Sequence, residues 1–280
     1  MGRGANSNGI NIAARGVVMS PEQLGPEQLG LRPVSPGPLS CKICDGTAEL
    51  YGVVDLHRPC LLPGGARAPL TGVPIYYRRC AACGFLFTDA FDDWDHEQFK
   101  THIYNDGYIV FDPDYKTARP TSNAGLMEQF FGTKKAGLRV LDFGGGNDVL
   151  CTALRAQGFA AAVTYDPMVP EHATRPEGKF DIITCFETLE HLPDPIGGLA
   201  RMIECAAEPG IIFYSTLVQP ADFDNQGMAW WYVGPRNGHV SMFTKQALAT
   251  AWAHHGYKNH SLNDNLHVAY RTLPAGWQLN

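Results

Sequence analysis

Two sets of residues in this chain have the types and spacings that chemistry needs. The first is Cys41-Lys42-Ile43-Cys44 with Cys80-Ala81-Ala82-Cys83, two Cys-x-x-Cys pairs separated by 35 residues. Each pair can place two thiolates on one turn, and two such turns close a tetrahedral four-cysteine shell around Zn2+. A closed shell keeps no open position, so this zinc is expected to be structural. In a reducing compartment paired cysteines read as metal or redox sites before disulfides. Gly46 and Gly84 follow the two turns, where a glycine relieves the bend. The unit is too small for a core of its own, so the metal is expected to supply much of its folding energy. Cys60 reads as a buried thiol, and Cys151, Cys185 and Cys205 lie in apolar core contexts.

The second set is Glu187, Glu190 and His191. On a helical turn these fall at i, i+3 and i+4 and share one face. Two carboxylates and an imidazole suit a divalent cation such as Mg2+ or Mn2+, with His239, in Asn237–Phe243, as a further donor. Without metal, His191 or His239 could serve as a general base, supported by Glu187. A purely structural role for the turn stands beside both.

These residues must be positioned by the elements around them. From residue 138 onward, strand-like and helix-like stretches alternate: 139–143, 160–165, 180–185, 210–215 and 266–271 as strands, 148–157, 195–205 and 244–254 as helices. That alternation predicts a mainly parallel α/β sheet with helices on both faces. Its first strand runs into Asp142-Phe143-Gly144-Gly145-Gly146-Asn147-Asp148, a glycine turn at the carboxyl end of a strand, where open α/β sheets bind ligands. Asp166 follows the second strand and could accept hydrogen bonds from both hydroxyls of a ribose. A dinucleotide fingerprint would need glycine at Val149, and acidic residues at a helix start oppose a pyrophosphate. A cationic sulfonium tolerates Asp142 and Asp148 better.

Taken together, Val140–Asp148, Tyr165-Asp166-Pro167 and Phe180–Pro195 resemble, in order, three motifs of the class I S-adenosylmethionine-dependent methyltransferases. The resemblance covers about 138 to 272. It implies a Rossmann-like sheet, with Asp142, Gly144, Gly145 and Gly146 along the methionine moiety, Asp166 on the ribose, and Phe186 in the cofactor set. Only 13 residues separate Asp166 from Phe180, where the family fits a helix and a strand, so no adenine-pocket residue is assigned. The Glu-x-x-Glu-His pattern with a later histidine is similar to metal-dependent O-methyltransferases of quinone precursors and of small-RNA 2′-hydroxyls. A zinc-binding segment ahead of such a domain resembles some sugar and some ribosomal-RNA methyltransferases.

The expected organisation is a disordered tail at 1–38, a β-rich zinc ribbon at 39–90, a connector or cap at 91–135 and the S-adenosylmethionine-binding domain at 136–280. The tail carries a tandem pentapeptide, Pro21–Gly25 then Pro26–Gly30. Tyr104, Tyr108, Tyr115 and Arg119 make the connector aromatic and candidate-rich. The loop after the fourth strand, with Trp230-Trp231-Tyr232, is expected over the site. The net charge of −6 gives no global pull on nucleic acid. No apolar run approaches the ~20 residues that span a bilayer, and the N-terminus lacks a signal-peptide core, so a cytoplasmic protein is expected. A small-molecule acceptor, methylated on oxygen, is the leading expectation. An RNA methyltransferase would need a basic ribbon face built from Lys42, Arg58, Arg67, Arg78 and Arg79. An inactive fold carrying an interaction ribbon is the third reading.

Overall fold

The antiparallel sheet that opens the chain is joined, through its last strand, to the second half of the sequence. The computed structural model describes residues 25–60, 68–159 and 161–278. The opening strands are β1 (Leu39–Ser40), β2 (Thr47–Asp55), β3 (Pro74–Cys80) and β4 (Leu86–Phe87). Helices α1 (His96–His102) and α2 (Ala118–Phe131) follow, then β5 (Arg139–Phe143), α3 (Val149–Ala156), β6 (Ala161–Tyr165) and β7 (Phe180–Phe186). The chain continues through α4 (Pro195–Ile203), β8 (Ala206–Ser215), the short α5 (Phe223–Gln226), β9 (Ser241–Met242), α6 (Lys245–Ala253), β10 (Lys258–Ser261) and β11 (Leu266–Tyr270).

The main sheet runs β10-β11-β8-β7-β5-β6, with β6, β5, β7 and β8 parallel and the β11–β10 hairpin antiparallel at one edge. β5, β7 and the second half of β8 are apolar almost throughout because both faces are covered, whereas the edge strand β6 alternates, with Ala161 and Val163 exposed. On one face α3 and α2 bury Leu150, Leu154, Met127 and Phe131 with Val140, Ile182 and Phe213. On the other, α4 and α6 bury Leu199, Met202, Leu248 and Trp252 with Leu141, Ile183 and Tyr214. Asp142 and Thr184 pair on adjacent strands, so the glycine turn and the turn after β7 emerge side by side at the carboxyl ends. Between β6 and β7 there is one short 3₁₀ turn, Pro170–His172, and β6 is the sheet's edge. The short spacer has cost the sheet its outer strand.

Two expectations change here. The cysteine pairs predict a ribbon standing on its own metal-held fold. Instead Ile43, Ala48, Phe85 and Phe87 share a core with Phe243, Ala247, Leu248 and Trp252, and β4 pairs with β9. A unit too small to bury its own apolar face has buried it on α6. Composition predicts a disordered tail as far as residue 38. Residues 1–24, with most of the first pentapeptide, lie outside the described residues, but the second copy is packed. Leu29 and Leu31 are buried with Trp94 and Phe99, Arg32 N–H donates to Ala90 O (2.9 Å), and Arg78 donates to the carbonyls of Ser35 and Gly37. Two leucines at i and i+2 are too few to register as a periodic pattern, yet they fill a gap against α1. Among the described residues no helix is long and apolar enough to cross a membrane.

Candidate active site

The glycine turn is shaped by what lies under it. Gly144 has φ +76°, and a Cβ there would sit 2.8 Å from Thr188 Oγ1. A Cβ on Gly145 would collide with Asp142 Oδ2. Glycine is therefore required at both positions, by φ at the first and by close approach at both. Gly146 N–H donates to Asp166 Oδ2 (2.9 Å), and Met168 N–H donates to Asp166 Oδ1 (2.8 Å). The turn and the acid after β6 are thus brought together, as their order in the sequence suggests. Each carboxylate oxygen keeps a further lone pair for a ligand hydroxyl.

Asp142 takes a different place from the one expected. It is buried beneath Gly145 and accepts from Thr184 Oγ1 at 2.7 Å. Burial raises its pKa to about 7, against the opposing Thr184 hydrogen bond. It therefore supports the turn from below and does not line it. Asp148, in the left-handed region at φ 62°, is held by Arg155, Thr152 and Thr164. Burial acts to raise its pKa, but these bonds outweigh it and hold the carboxyl below its ordinary range. A paired Asp148 weakens the expected repulsion of a phosphate. Phe186, at the end of β7, packs edge-on against Phe213 with centroids 5.7 Å apart.

Beyond β7 the expected helical turn does not form. Glu187 has φ +49°, and only Leu189–His191 is helical, as one 3₁₀ turn. Glu187, Glu190 and His191 consequently do not share one face as donors. Glu187 accepts from Ser215 Oγ on β8 at 2.6 Å, and burial pushes its carboxyl up to about 7. Among the described residues the donor group is Glu190, His191 and His239, with ligand atoms all within 4.8 Å of one another. Glu190 is fully buried; its Oε1 accepts from Tyr232 OH at 2.6 Å, while Oε2 has no partner. Burial raises its pKa, and the Tyr232 hydrogen bond opposes that.

Both imidazoles are fixed by backbone carbonyls. His239 Nδ1 lies 2.8 Å from Tyr232 O, and His191 Nδ1 lies 3.1 Å from Gly238 O. A carbonyl only accepts, so each Nδ1 carries the proton and each Nε2 keeps its lone pair. The rings meet edge to face, 4.9 Å between centroids. Burial lowers both pKa values, His239 most, so both rings are neutral at pH 7. Tyr104 OH is 3.0 Å from His191 Nδ1, and Cys60 Sγ is 3.5 Å from His239 Nδ1. Near them Arg119 grips Asp112 with both terminal nitrogens, at 2.8 and 3.0 Å. Sequence reasoning gives Tyr104, Tyr232 and Cys60 no partner in this cluster. The two tyrosines are signalled only by aromatic density around 104–115 and 230–232 and Cys60 by nothing, because the side chains they meet are distant in sequence: His191, Glu190 and His239 respectively.

The four cysteines converge as expected. Cys41 Sγ lies 3.7 Å from Cys83 Sγ, and Cys44 Sγ lies 3.4 Å from Cys80 Sγ. Sulfurs about 2.3 Å from a shared tetrahedral ion would be roughly 3.8 Å apart, so the donor set fits Zn2+. Among the ribbon's basic residues, Lys42, Arg78 and Arg79 are bound to Asp92, to tail carbonyls and to Asp224, and Arg58 binds the carbonyls of Met228 and Trp230. Arg67 lies outside the described residues. These four are spent on internal contacts and form no free basic face.

A family profile described as a methyltransferase domain matches residues 115–262, more than half of the 280-residue chain. The chain belongs to the methyltransferase-domain family. The glycine turn, the acid after β6 and the sheet order place it with the class I, S-adenosylmethionine-dependent members. Curated relatives include ubiquinone biosynthesis O-methyltransferases of Escherichia coli and Shigella boydii, each 29% identical over 152 residues, 41% of this chain and 60% of the relative. The chain thus spans about 60% of the length of the curated relatives it matches. Similar solved structures include the magnesium protoporphyrin IX methyltransferase of Synechocystis with bound S-adenosylhomocysteine (14% identity, TM-score 0.43, 63% of this chain and 98% of that one). Another is a mitomycin 7-O-methyltransferase (14% identity, TM-score 0.48, 66% and 62%).

Proposed function

We propose that this methyltransferase moves a methyl group from S-adenosylmethionine to a hydroxyl oxygen of a small molecule, a sugar or a similar metabolite. The observation that carries this reading is the junction of the Gly144–Gly146 turn with Asp166, beside a buried cluster of neutral imidazoles. When bound, S-adenosylmethionine supplies a methyl already activated on a sulfonium. The chain's own residues then have to bind, align, exclude water and take a proton. The backbone of Gly144–Gly146 would follow the methionine part, and Asp166 would take the ribose hydroxyls. His191 and His239, neutral with free Nε2 lone pairs, are suited to accept the acceptor's proton.

The same lone pairs, with the unpartnered Oε2 of Glu190, suit a divalent cation, which would lower the pKa of the attacked hydroxyl. Two imidazoles and one carboxylate favour Mn2+ over the harder Mg2+. Glu187 is assigned to hold Ser215 and the end of β8 rather than to bind that ion. Cys41, Cys44, Cys80 and Cys83 would hold a structural Zn2+. The curated relatives are O-methyltransferases, which supports oxygen as the nucleophile. The internal engagement of Lys42, Arg58, Arg78 and Arg79 argues against RNA as the acceptor. The test is a transfer assay with methyl-labelled cofactor on a panel of hydroxylated small molecules. Incorporation by the wild type and its loss in His191→Ala support the reading. Equal incorporation by both would refute His191 as proton acceptor.

A further inference from the structure

The turn that carries Glu190 and His191 has little internal support. It is a single 3₁₀ turn with no side-chain cap at Thr188. Thr188 O and Leu189 O are satisfied within the turn, by the N–H groups of His191 and Leu192, but the carbonyls that follow are held from elsewhere: Glu190 O accepts from Val240 N–H at 2.9 Å, and Leu192 O from Ser241 Oγ at 2.7 Å. Pro193 O accepts from Lys42 Nζ at 2.9 Å. Lys42 lies between Cys41 and Cys44, inside the first cysteine turn. An ammonium has three donors, and all three of Lys42's are used, on Pro193 O, Thr88 O (3.1 Å) and the Asp92 carboxylate. The ammonium also lies over the Phe87 ring, 5.2 Å from its centroid, and the side chain is only 16% exposed.

The acceptors of this ammonium lead to both halves of the site. Pro193 O is two residues beyond His191. Thr88 N–H donates to Val240 O at 3.0 Å, and Val240 N–H returns to Glu190 O. Tyr77 OH donates to His239 O at 2.7 Å from the same sheet. A displaced Lys42 would leave the carbonyls of Pro193 and Thr88 without their partner in a part-buried place, which is costly. The cheap relief is for the 189–193 turn to shift.

We infer that Lys42 is a positioning residue for the Glu190–His191–His239 cluster, so that the cysteine turn, once locked by its metal, sets the geometry of the reacting groups across 151 residues of sequence. The inference rests on the reading of that cluster as the reacting group. It gives the ribbon a role in the reaction without placing it near the acceptor. It also accounts for a lysine in a place where charge is costly to bury.

The test reads the imidazoles of the resting, zinc-loaded full chain by long-range proton–nitrogen NMR, with His191→Gln and His239→Gln to assign the signals. In the wild type both rings should show the Nδ1–H tautomer. Lys42→Met should leave zinc at one per chain and turn the His191 signals into a tautomer mixture, while Lys42→Arg restores the single form. His191 signals unchanged in Lys42→Met would overturn the inference. If Lys42→Met loses zinc, Asp92→Asn decides, because it loosens the ammonium and leaves the cysteine turn intact. A shifted His191 ring then supports the clamp, and an unmoved one refutes it. These signals need no turnover, so their outcome is separate from that of the methyl-transfer assay.

Discussion

The cysteine turns and the Glu190–His191–His239 cluster gather ligand-type side chains by opposite means. Each cysteine pair spans one turn, and the four sulfurs meet when two hairpin-like turns approach. The cluster draws its groups from a turn after β7 and from a long segment before β9, and it takes their partners from residues as distant as Cys60 and Tyr104. The first arrangement puts its polarity where a bound Zn2+ would cancel it. The second keeps a carboxylate oxygen buried and unpartnered. A site of the first type should matter most to stability, and one of the second most to binding.

The strongest challenge to this contrast lies at the cysteines. Cys80→Ser should remove zinc and cost more than about 4 kcal/mol, the range of lost metal sites. Thermal unfolding with and without a chelator checks this, and a variant as stable as the wild type would remove the structural role. At the cluster, Glu190→Gln should weaken Mn2+ binding by at least about 100-fold, and Tyr232→Phe, which removes an outer partner, by about 10–100-fold. Glu190→Gln should leave stability nearly unchanged, because a buried unpaired carboxyl is itself a cost, whereas Tyr232→Phe strips that carboxyl of its one hydrogen bond and should cost about 1–3 kcal/mol. Paramagnetic titration alongside denaturant unfolding separates the two quantities. A large stability loss in Glu190→Gln with Mn2+ binding intact would invert the comparison.

The glycine turn should respond more modestly. Gly145→Ala must push Asp142 aside, at a cost of about 1–3 kcal/mol for an overpacked site. Calorimetry with S-adenosylhomocysteine should show weaker binding, and wild-type affinity would contradict the tight approach of turn and carboxyl. The last effect appears only in acid. His267 is buried between Ser261 Oγ and Thr216 O, and burial lowers its pKa to about 4. Its folded pKa lies below the unfolded value near 6.5, so the unfolded chain binds the proton first. Stability from this residue is present above about pH 6.5 and is lost progressively as pH falls toward about 4. His267→Phe should flatten that part of the profile.

What can be read from the sequence follows the same division. Features set by a few adjacent residues are legible: the cysteine pairs, the glycine turn, the acid after β6, the strand alternation and the missing strand implied by a 13-residue spacer. Features set by tertiary contact are not. Helical spacing, a local rule, groups Glu187 with Glu190 and His191; its φ of +49° and its bond to Ser215 are imposed by β8. Adjacency to glycines puts Asp142 against a ligand, but strand alternation turns it inward to Thr184. Leu29 and Leu31 lack any period, and only α1 gives them a place. The cysteines suggest a self-contained ribbon because their own spacing is self-contained, whereas its apolar face is completed by α6.

The proposed chemistry requires that the Gly144–Gly146 turn and Asp166 form the S-adenosylmethionine site. Isothermal calorimetry of S-adenosylhomocysteine with the zinc-loaded chain and with Asp166→Ala examines that dependence. One site per wild-type chain is expected, with a loss of affinity of at least about tenfold in the variant, the equivalent of ~1.4 kcal/mol. No binding to the wild type, or equal binding to both proteins, would contradict the assignment.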